Sequence, residues 1–187
     1  NFFLLSLIIL YLLVRFIVFS SEIRPDPEWV NGLMQHINIL LLNKDFLKSI
    51  FYFHSQPPLW NTIIGIGVKF LGVNSIHVSY YILLVNIISS IFIIFFSLKT
   101  LELLKIKKTI IFFTILFFII LAPSIIFYEN FLSYAHFTCL NIFATKYYLL
   151  KLYNNYKLKY EIKIYIFSSF LLLTWSAYTN IFLLIIF

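Results

Sequence analysis

Carboxylates are scarce in this chain, and most of them lie in one stretch. The 187 residues include seven Asp and Glu, of which Glu22, Asp26, Glu28 and Asp45 fall within 24 positions of each other. A carboxylate held at a membrane surface can act as a general base toward a hydroxyl group, and Asp26 is the first candidate. A structural role is equally compatible with its position, because Asp followed by Pro and Glu is typical of a helix start.

Glu129 is the second candidate carboxylate. It follows an apolar run that ends at Tyr128. Glu129, Ser133 and His136 are spaced at i, i+4 and i+7, which predicts a polar line on one helix. Ionisable groups at membrane depth are costly and usually functional, although water at the outer interface would hydrate this one. We predict a catalytic role for Glu129, and we leave His136 open between substrate binding and packing.

Five further polar residues are candidates for substrate binding: Arg24, Glu28, Lys44, His54 and Gln56. Guanidinium and ammonium groups stabilise phosphate oxygens, so Arg24 or Lys44 would face an anion. His54, Ser55 and Gln56 precede Pro57, where the backbone must be extended or turning. A Ser-His-Asp hydrolase is a weaker alternative, because the sequence has no Gly-x-Ser-x-Gly elbow.

The composition is that of a membrane protein. Hydrophobic residues make up 62% of the chain and charged residues 11%, whereas soluble domains carry roughly 25% charged residues. In such a protein the net charge of +7 reflects lysines placed in cytoplasmic loops, and we expect no nucleic-acid partner. Cys139, the only cysteine, excludes an internal disulfide and a cysteine-based metal cluster. No phosphate-binding Gly loop supports a nucleotide-driven mechanism.

Long apolar runs predict an all-α integral membrane protein with about five transmembrane helices. The predicted spans are residues 2–20, 77–98, 109–127, 131–150 and 164–187. Residues 57–72 form a shorter run with two internal glycines, which favours a helix at the interface or half-inserted. The lysines on both sides of 109–150 then share one cytoplasmic face, as the positive-inside rule requires, and residues 21–76 form an extracytoplasmic loop.

That loop should contain amphipathic helices beside the membrane. Trp29, Leu33, Ile37, Leu40 and Leu41 recur at helical spacing and predict one helix, and a second short helix is predicted at about 45–53. Proline at the first helical position then starts the segment 57–72. The chain has no initiator Met and stops at Phe187 inside an apolar run. We therefore expect residues 1–187 to be the N-terminal part of a single polytopic domain.

The order of these features resembles the GT-C superfamily of membrane glycosyltransferases. An acid in Pro25-Asp26 follows the first span, an amphipathic segment comes next, and Gln56-Pro57-Pro58-Leu59-Trp60 and Gly72-Val73-Asn74 precede a new span. The Pro-Pro-Leu-aromatic element is similar to that of protein O-mannosyltransferases and lipid A aminoarabinose transferases. With Tyr128-Glu129-Asn130, the pattern looks closest to bacterial members of the group.

The resemblance implies an inverting transferase that takes a sugar from a polyprenyl-phosphate carrier at the extracytoplasmic membrane face. It implies that Asp26 is the catalytic base and that Glu129 is the second acid, which orients the acceptor or holds a divalent cation. It places the protein in a bacterial inner membrane with the active face outward. The expected partners are the lipid-linked donor, membrane lipid, and an acceptor glycan, lipid or protein.

Two alternatives from other classes remain. A transporter or flippase would use Glu129 and His136 as a coupling pair within the bilayer, and would show broken helices in repeated halves. A non-catalytic membrane scaffold would tolerate replacement of both Asp26 and Glu129. Sugar transfer from a polyprenyl-phosphate donor separates the first interpretation from these two.

Overall fold

The computed structural model describes residues 2–21, 23–32, 36–52, 57–131 and 134–174, and the regular structure in these ranges is entirely helical. Ten helices follow one another: α1 Phe2–Ser20, α2 Trp29–Gly32, α3 Ile39–Lys44, α4 Phe46–Tyr52, α5 Pro58–Leu71, α6 Ser75–Leu103, α7 Lys108–Ile115, α8 Pro123–Asn130, α9 Ala135–Asn154 and α10 Leu158–Thr174. A π-helical turn, Leu116–Ile120, extends α7. The predicted all-α class is confirmed.

Two helices, α1 and α6, are each long and apolar enough to cross a membrane. They contain 19 and 29 residues and correspond to the predicted spans 2–20 and 77–98. Within the described residues, a third crossing is reached if α7 with its π turn and α8, which are bent by 43° relative to each other, are counted as one span. The five predicted spans are therefore not confirmed. The predicted span 164–187 runs past Thr174 into positions outside the described ranges.

The bend interrupts the span that the sequence predicts at 109–127. Ala122 has an extended backbone, and Pro123 occupies the first turn of α8 without an amide hydrogen to continue the preceding helix. A continuous apolar run therefore folds as two helices rather than one. Glu129 lies in the second of them, one residue before its end.

The loop helices differ from the prediction in one respect. The amphipathic helix expected from Trp29 to Leu41 is wrong as one continuous element, because residues 36–38 are not helical and α3 starts at Ile39. The side chain of Asn38 accepts the amide hydrogen of Leu40 and so begins α3. The second predicted helix, at about 45–53, matches α4.

Helix α5 has 14 residues, which at 1.5 Å per residue reach about 21 Å, less than the ~30 Å hydrocarbon core of a bilayer. As predicted, it is too short to cross as a helix. Two glycines let it approach its neighbours closely: Gly65 lies against the ring of Phe46, and Gly67 against the ring of Tyr81. Trp60, Ile64 and Val68 form the fully buried side of α5 in a core shared with α3 and α6.

A second apolar core joins α1, α6 and α7, with Leu7, Ile94 and Ile115 among its fully buried members. The opposite side of α1 remains open, as Phe2, Phe16 and Ile17 are each more than half exposed. An apolar helix surface of this kind suits contact with lipid or with further helices. Among the described residues, one face of α1 is packed against other helices and the other is exposed.

Candidate functional site

The centre of the candidate site is an ion pair between Arg15 of α1 and Glu129 of α8. Their side chains are 7% and 1% exposed. The guanidinium donates from Nε to Oε2 of the carboxylate and from Nη2 to Oε1, the second contact being 3.1 Å long. Bidentate pairing of this type fixes the orientation of the two groups relative to each other.

Arg15 also joins the two halves of the bent segment. Its Nη1 donates to the carbonyl of Ile120 at 2.8 Å, and its Nη2 makes a longer contact of 3.5 Å with the carbonyl of Ile119. These carbonyls lie at the end of the π turn, where a helix that stops leaves acceptors without partners. In an apolar medium such groups must be satisfied within the protein. One guanidinium therefore binds the end of one helix and the carboxylate of the next.

Two hydroxyl groups complete the environment of the Glu129 carboxylate. Tyr11 donates its hydroxyl hydrogen to Oε1 at 2.9 Å, and the Ser90 hydroxyl of α6 is in hydrogen-bond contact with the same oxygen. An ionised carboxylate only accepts, so Ser90 donates to Glu129. The Ser90 oxygen also contacts Nε2 of His136, and it can then only accept. Nε2 of His136 therefore carries a hydrogen.

The predicted link between Glu129 and His136 exists, but it arises differently from the prediction. The two residues do not form a polar line on one helix, because α8 ends at Asn130 and α9 begins at Ala135. Ser133 lies outside the described residues. His136 Nε2 nevertheless lies 3.7 Å from Glu129 Oε1. His136 is 2% exposed and is bonded within the protein.

Asn86 adds a backbone contact from α6. Its Nδ2 donates to the carbonyl of Glu129 at 3.0 Å, whereas its buried Oδ1 has no hydrogen-bond partner among the described atoms. With the amide oxygen and nitrogen exchanged, the Asn86 oxygen would face the carbonyl oxygen of Glu129, and both are acceptors. The orientation with the nitrogen toward this carbonyl is therefore the favourable one. Helix α6 thus holds Glu129 by its backbone through Asn86 and by its side chain through Ser90.

Asp26 lies in the loop after α1 and is partly buried. Its Oδ1 accepts the backbone hydrogen of Glu28 at 2.9 Å, and its carbonyl accepts that of Trp29 at 3.2 Å. These contacts give Asp26 the helix-starting role considered from the sequence. The hydrogen bond from Glu28 uses one of the two carboxylate oxygens, Oδ1.

The Asp26 loop reaches the end of α8 that carries Glu129. The indole ring of Trp29 packs edge-on against the ring of Phe131, with 4.5 Å between centroids. These rings lie three residues after Asp26 and two residues after Glu129. The structure therefore brings the two predicted acids to the same end of the helix bundle.

A cavity of about 280 Å³ opens beside the ion pair. Its apolar walls come from α1, α6 and the loop residue Ile23, and Arg15, Glu129 and Asn130 supply its polar lining. Leu12 and Phe16 belong to this lining and are 44% and 70% exposed, so the cavity lies next to the open side of α1. We call this cavity the groove beside α1. Apolar walls with a charged pair at the base suit an amphipathic ligand.

Arg24 lies beside one residue of the cavity wall. Its guanidinium packs 5.1 Å from the ring centroid of Phe19, a residue that lines the cavity. Arg24 is exposed and remains accessible to an anion. The other predicted substrate-binding residues within the described ranges, Glu28 and Lys44, are exposed and do not line the cavity. His54 and Gln56 lie outside the described residues.

Helix α5 anchors the loop that carries Asp26. The indole Nε1 of Trp60 donates to Nε2 of His36 at 3.1 Å, and Nδ1 of that histidine lies 3.2 Å from the carbonyl of Val30. Nε2 accepts here, so Nδ1 carries the hydrogen that reaches Val30. Asn61 Oδ1 accepts the amide hydrogen of Ile37 at 2.7 Å. The Trp-Asn pair after Pro-Pro-Leu is thus a buried support for the loop.

The Glu129 carboxylate has protein donors at both oxygens, from Arg15, Tyr11 and Ser90. Across the described ranges, no three His, Cys, Asp or Glu side chains come together in a way that would hold a metal ion. The donor set around Glu129 is cationic or hydroxylic, which does not fit a divalent cation. No catalytic step is therefore assigned to a metal at this carboxylate.

The sequence matches no protein-family model, no curated protein and no solved structure. Four residues with contacts in or near the site are not among the candidates selected from the sequence: Arg15, Tyr11, Ser90 and His36. A signal existed for Arg15, which is the only charged residue in α1, because an ionisable side chain within an apolar helix usually has a function and a partner.

Proposed function

We propose that this protein is a multi-pass membrane glycosyltransferase that takes a sugar from a polyprenyl-phosphate donor at the extracytoplasmic face of a bacterial inner membrane. The supporting observation is the groove beside α1, where apolar walls lead to a buried charged pair while Asp26 lies in the adjoining loop. Such a groove suits the isoprenoid chain of the donor, and Arg24, which packs against Phe19 of its wall, suits the phosphate.

In the proposed reaction, Asp26 accepts the proton of the acceptor hydroxyl. The hydroxyl oxygen forms a bond to the anomeric carbon, and the bond from that carbon to the phosphate oxygen breaks. The electron pair leaves on the phosphate, whose charge Arg24 stabilises. Attack from the side opposite the leaving group inverts the anomeric centre, through an oxocarbenium-like transition state.

Glu129 has a positioning role in this proposal, rather than the direct contact with the acceptor or a cation that the sequence predicts. Through Arg15 it binds α1 to the bent segment, and through Ser90 it binds α6. These contacts hold the walls of the groove in place. Preorganised walls keep the donor in line with the base and reduce the entropy lost on reaching the transition state.

The test uses the full-length protein in liposomes supplied with polyprenyl-phosphate sugars of several kinds. A membrane extract supplies the acceptor. Release of polyprenyl phosphate is the readout, because it can be measured without knowing which molecule in the extract accepts the sugar. Asp26→Asn should reduce the rate at least 100-fold, as expected for removal of a general base, and the amide oxygen still accepts the Glu28 amide hydrogen. Asp45→Asn is the matched control, since it changes another acid of the same loop. Unchanged release by Asp26→Asn would refute the assignment.

A transporter or flippase is the second candidate, and the structure offers one observation in its favour. The hydrogen-bonded chain from Glu129 through Ser90 to His136 lies beside a bent helix pair, and discontinuous helices line the sites of many transporters. Proton-coupled movement of a solute into liposomes, with no polyprenyl phosphate released from any donor, would support this function. It would require Glu129 and His136 but not Asp26.

A further inference from the structure

A second cavity, of about 170 Å³, lies between α6, the α7 segment with its π turn, and α9. It is separate from the groove beside α1 and has no part in the proposed sugar transfer. Four polar side chains line it: Ser97, Thr100, Thr114 and Lys146. Ser97 and Thr100 lie in the last two turns of α6, near the loop that leads to α7.

Two of these hydroxyl groups belong to buried side chains. The side chains of Ser97 and Thr100 are 6% and 5% exposed, and their hydroxyl oxygens are buried without a hydrogen-bond partner in the described part of the chain. Hydroxyl groups in an apolar bundle normally bond to a protein group, to water or to a ligand. Both residues line the cavity, and rotation of each side chain about its Cα–Cβ bond would allow its hydroxyl group to donate to an occupant with hydrogen-bond acceptors.

The charges around this cavity are positive. Lys146 is exposed, and in the described part of the chain it makes no ion pair with an acid. The end of the bundle where α6 meets α7 and α9 meets α10 carries Lys99, Lys105, Lys107, Lys108, Lys146, Lys151, Lys157, Lys159 and Lys163. Only Glu102 and Glu161 oppose them in those segments. An anion is therefore the favoured occupant.

One wall of the cavity lies at the outer surface of the bundle. Phe118 lines the cavity and is 75% exposed, and it belongs to the apolar π turn, so this side faces lipid if the segment is embedded. A ligand entering past Phe118 would come from the bilayer. An anionic lipid brings acceptor oxygens to the hydroxyl groups and negative charge to the lysine.

We propose that this cavity binds the phosphate group of an anionic phospholipid at the lysine-bearing end of the bundle. On binding, the Ser97 and Thr100 side chains turn toward the cavity and donate hydrogen bonds to the phosphate oxygens, and Lys146 supplies the counter-charge. The acyl chains lie along the surface beside Phe118. The site holds a structural or regulatory lipid in the leaflet opposite the proposed donor groove.

The experiment measures lipid retention by the intact protein released from nanodiscs that contain equal amounts of phosphatidylglycerol and phosphatidylcholine, using native mass spectrometry. Lys146→Gln should reduce the preference for phosphatidylglycerol about fivefold, the effect expected for one lysine beside an anionic headgroup. Lys157→Gln is the matched control, because it removes the same charge from an exposed lysine at the same end that does not line the cavity. The control should retain the preference.

The double variant Ser97→Ala, Thr100→Val tests the hydroxyl groups without changing any charge. It should also lose the preference for phosphatidylglycerol, and thermal unfolding without added lipid should show that it remains folded. Equal retention by the wild type and both variants would overturn the proposal and leave water as the occupant. Displacement of phosphatidylglycerol by millimolar inorganic phosphate would show that the site takes a soluble anion, and would overturn the lipid assignment.

Discussion

Arg15 and Glu129 are 114 positions apart in the sequence and form a buried bidentate pair. The pair connects the first helix of the chain to the helix after the bend, and the same guanidinium binds the carbonyls at the end of the π turn. A single interaction therefore holds three chain segments at the base of the groove. Its removal should affect stability first and activity as a consequence.

We predict that Arg15→Leu and Glu129→Gln each destabilise the protein by about 3–5 kcal/mol, because each leaves a buried partner without its counterpart. The double variant Arg15→Leu, Glu129→Leu should be less destabilised than the sum of the two single Leu variants. The double-mutant cycle compares the wild type, Arg15→Leu, Glu129→Leu and the double variant. Reversible unfolding of these four proteins in detergent measures the coupling free energy between the two positions. Additive losses would contradict the proposed clamp.

The control for this cycle is the Lys99–Glu102 pair, whose side chains are 23% and 35% exposed. Pairs in contact with solvent contribute about 0–1 kcal/mol. Lys99→Gln should therefore change the free energy of unfolding by less than about 1 kcal/mol. A loss as large as that of Arg15→Leu would show that the measurement reports general charge effects.

The sequence predicts well those parts of the fold that depend on local patterns. The span 2–20 has the bounds of α1, and 77–98 falls within α6, because a long apolar run needs no distant partner to form a helix. The bend before α8 was missed although Pro123 marks it, since the apolar run continues on both sides. The break in the loop helix depends on the Asn38 side chain, which competes with the helical pattern around it.

The site was less predictable, because its contacts join distant positions. Asp26 and Glu129 could be selected from their types and surroundings, but nothing near Glu129 indicates that Arg15 pairs with it. The roles of Trp60 and Asn61 are also non-local, since their partners His36 and Ile37 lie 24 positions away. Composition shows where charge is unusual, whereas the partner of each charge is set by tertiary packing.

The loop anchor gives the second prediction. Asn61→Ala should destabilise the protein by about 1–3 kcal/mol, because the buried amide of Ile37 loses its acceptor. The loop from α1 to α3 should then be cleaved faster by protease at low concentration, and activity should fall with loop order. Thr62→Ala is the control, since the Thr62 hydroxyl bonds only to the carbonyl of Pro58 within the same helix. Equal cleavage rates in the two variants would argue against the anchor.

Close packing of α5 on α6 gives the third prediction. Gly67→Val should destabilise the protein by about 1–3 kcal/mol, because a side chain at this position overlaps the ring of Tyr81. Tyr81→Ala removes that ring, so adding it to Gly67→Val should recover part of the loss relative to the sum of the single variants. Thermal unfolding of the four proteins checks this. A purely additive double variant would show that the cost of Gly67→Val does not arise at the ring of Tyr81.

The groove beside α1 gives the fourth prediction, which concerns donor binding. Leu83 lines the groove, whereas Leu84 is 54% exposed and does not line it. Leu83→Trp should fill part of the 280 Å³ space and raise the KM for a polyprenyl-phosphate sugar by about tenfold or more. This estimate corresponds to losing about 1.4 kcal/mol of binding free energy.

Leu84→Trp adds the same indole ring one position along α6 and should leave the KM near the wild-type value. Steady-state rates of polyprenyl phosphate release over a range of donor concentrations separate KM from kcat, and kcat should change little in Leu83→Trp, because Asp26 is untouched. Shortening the isoprenoid chain of the donor should weaken binding to the wild type more than to Leu83→Trp, since the variant no longer holds the chain in the groove. If both Trp variants bind every donor equally well, the donor chain lies elsewhere on the protein.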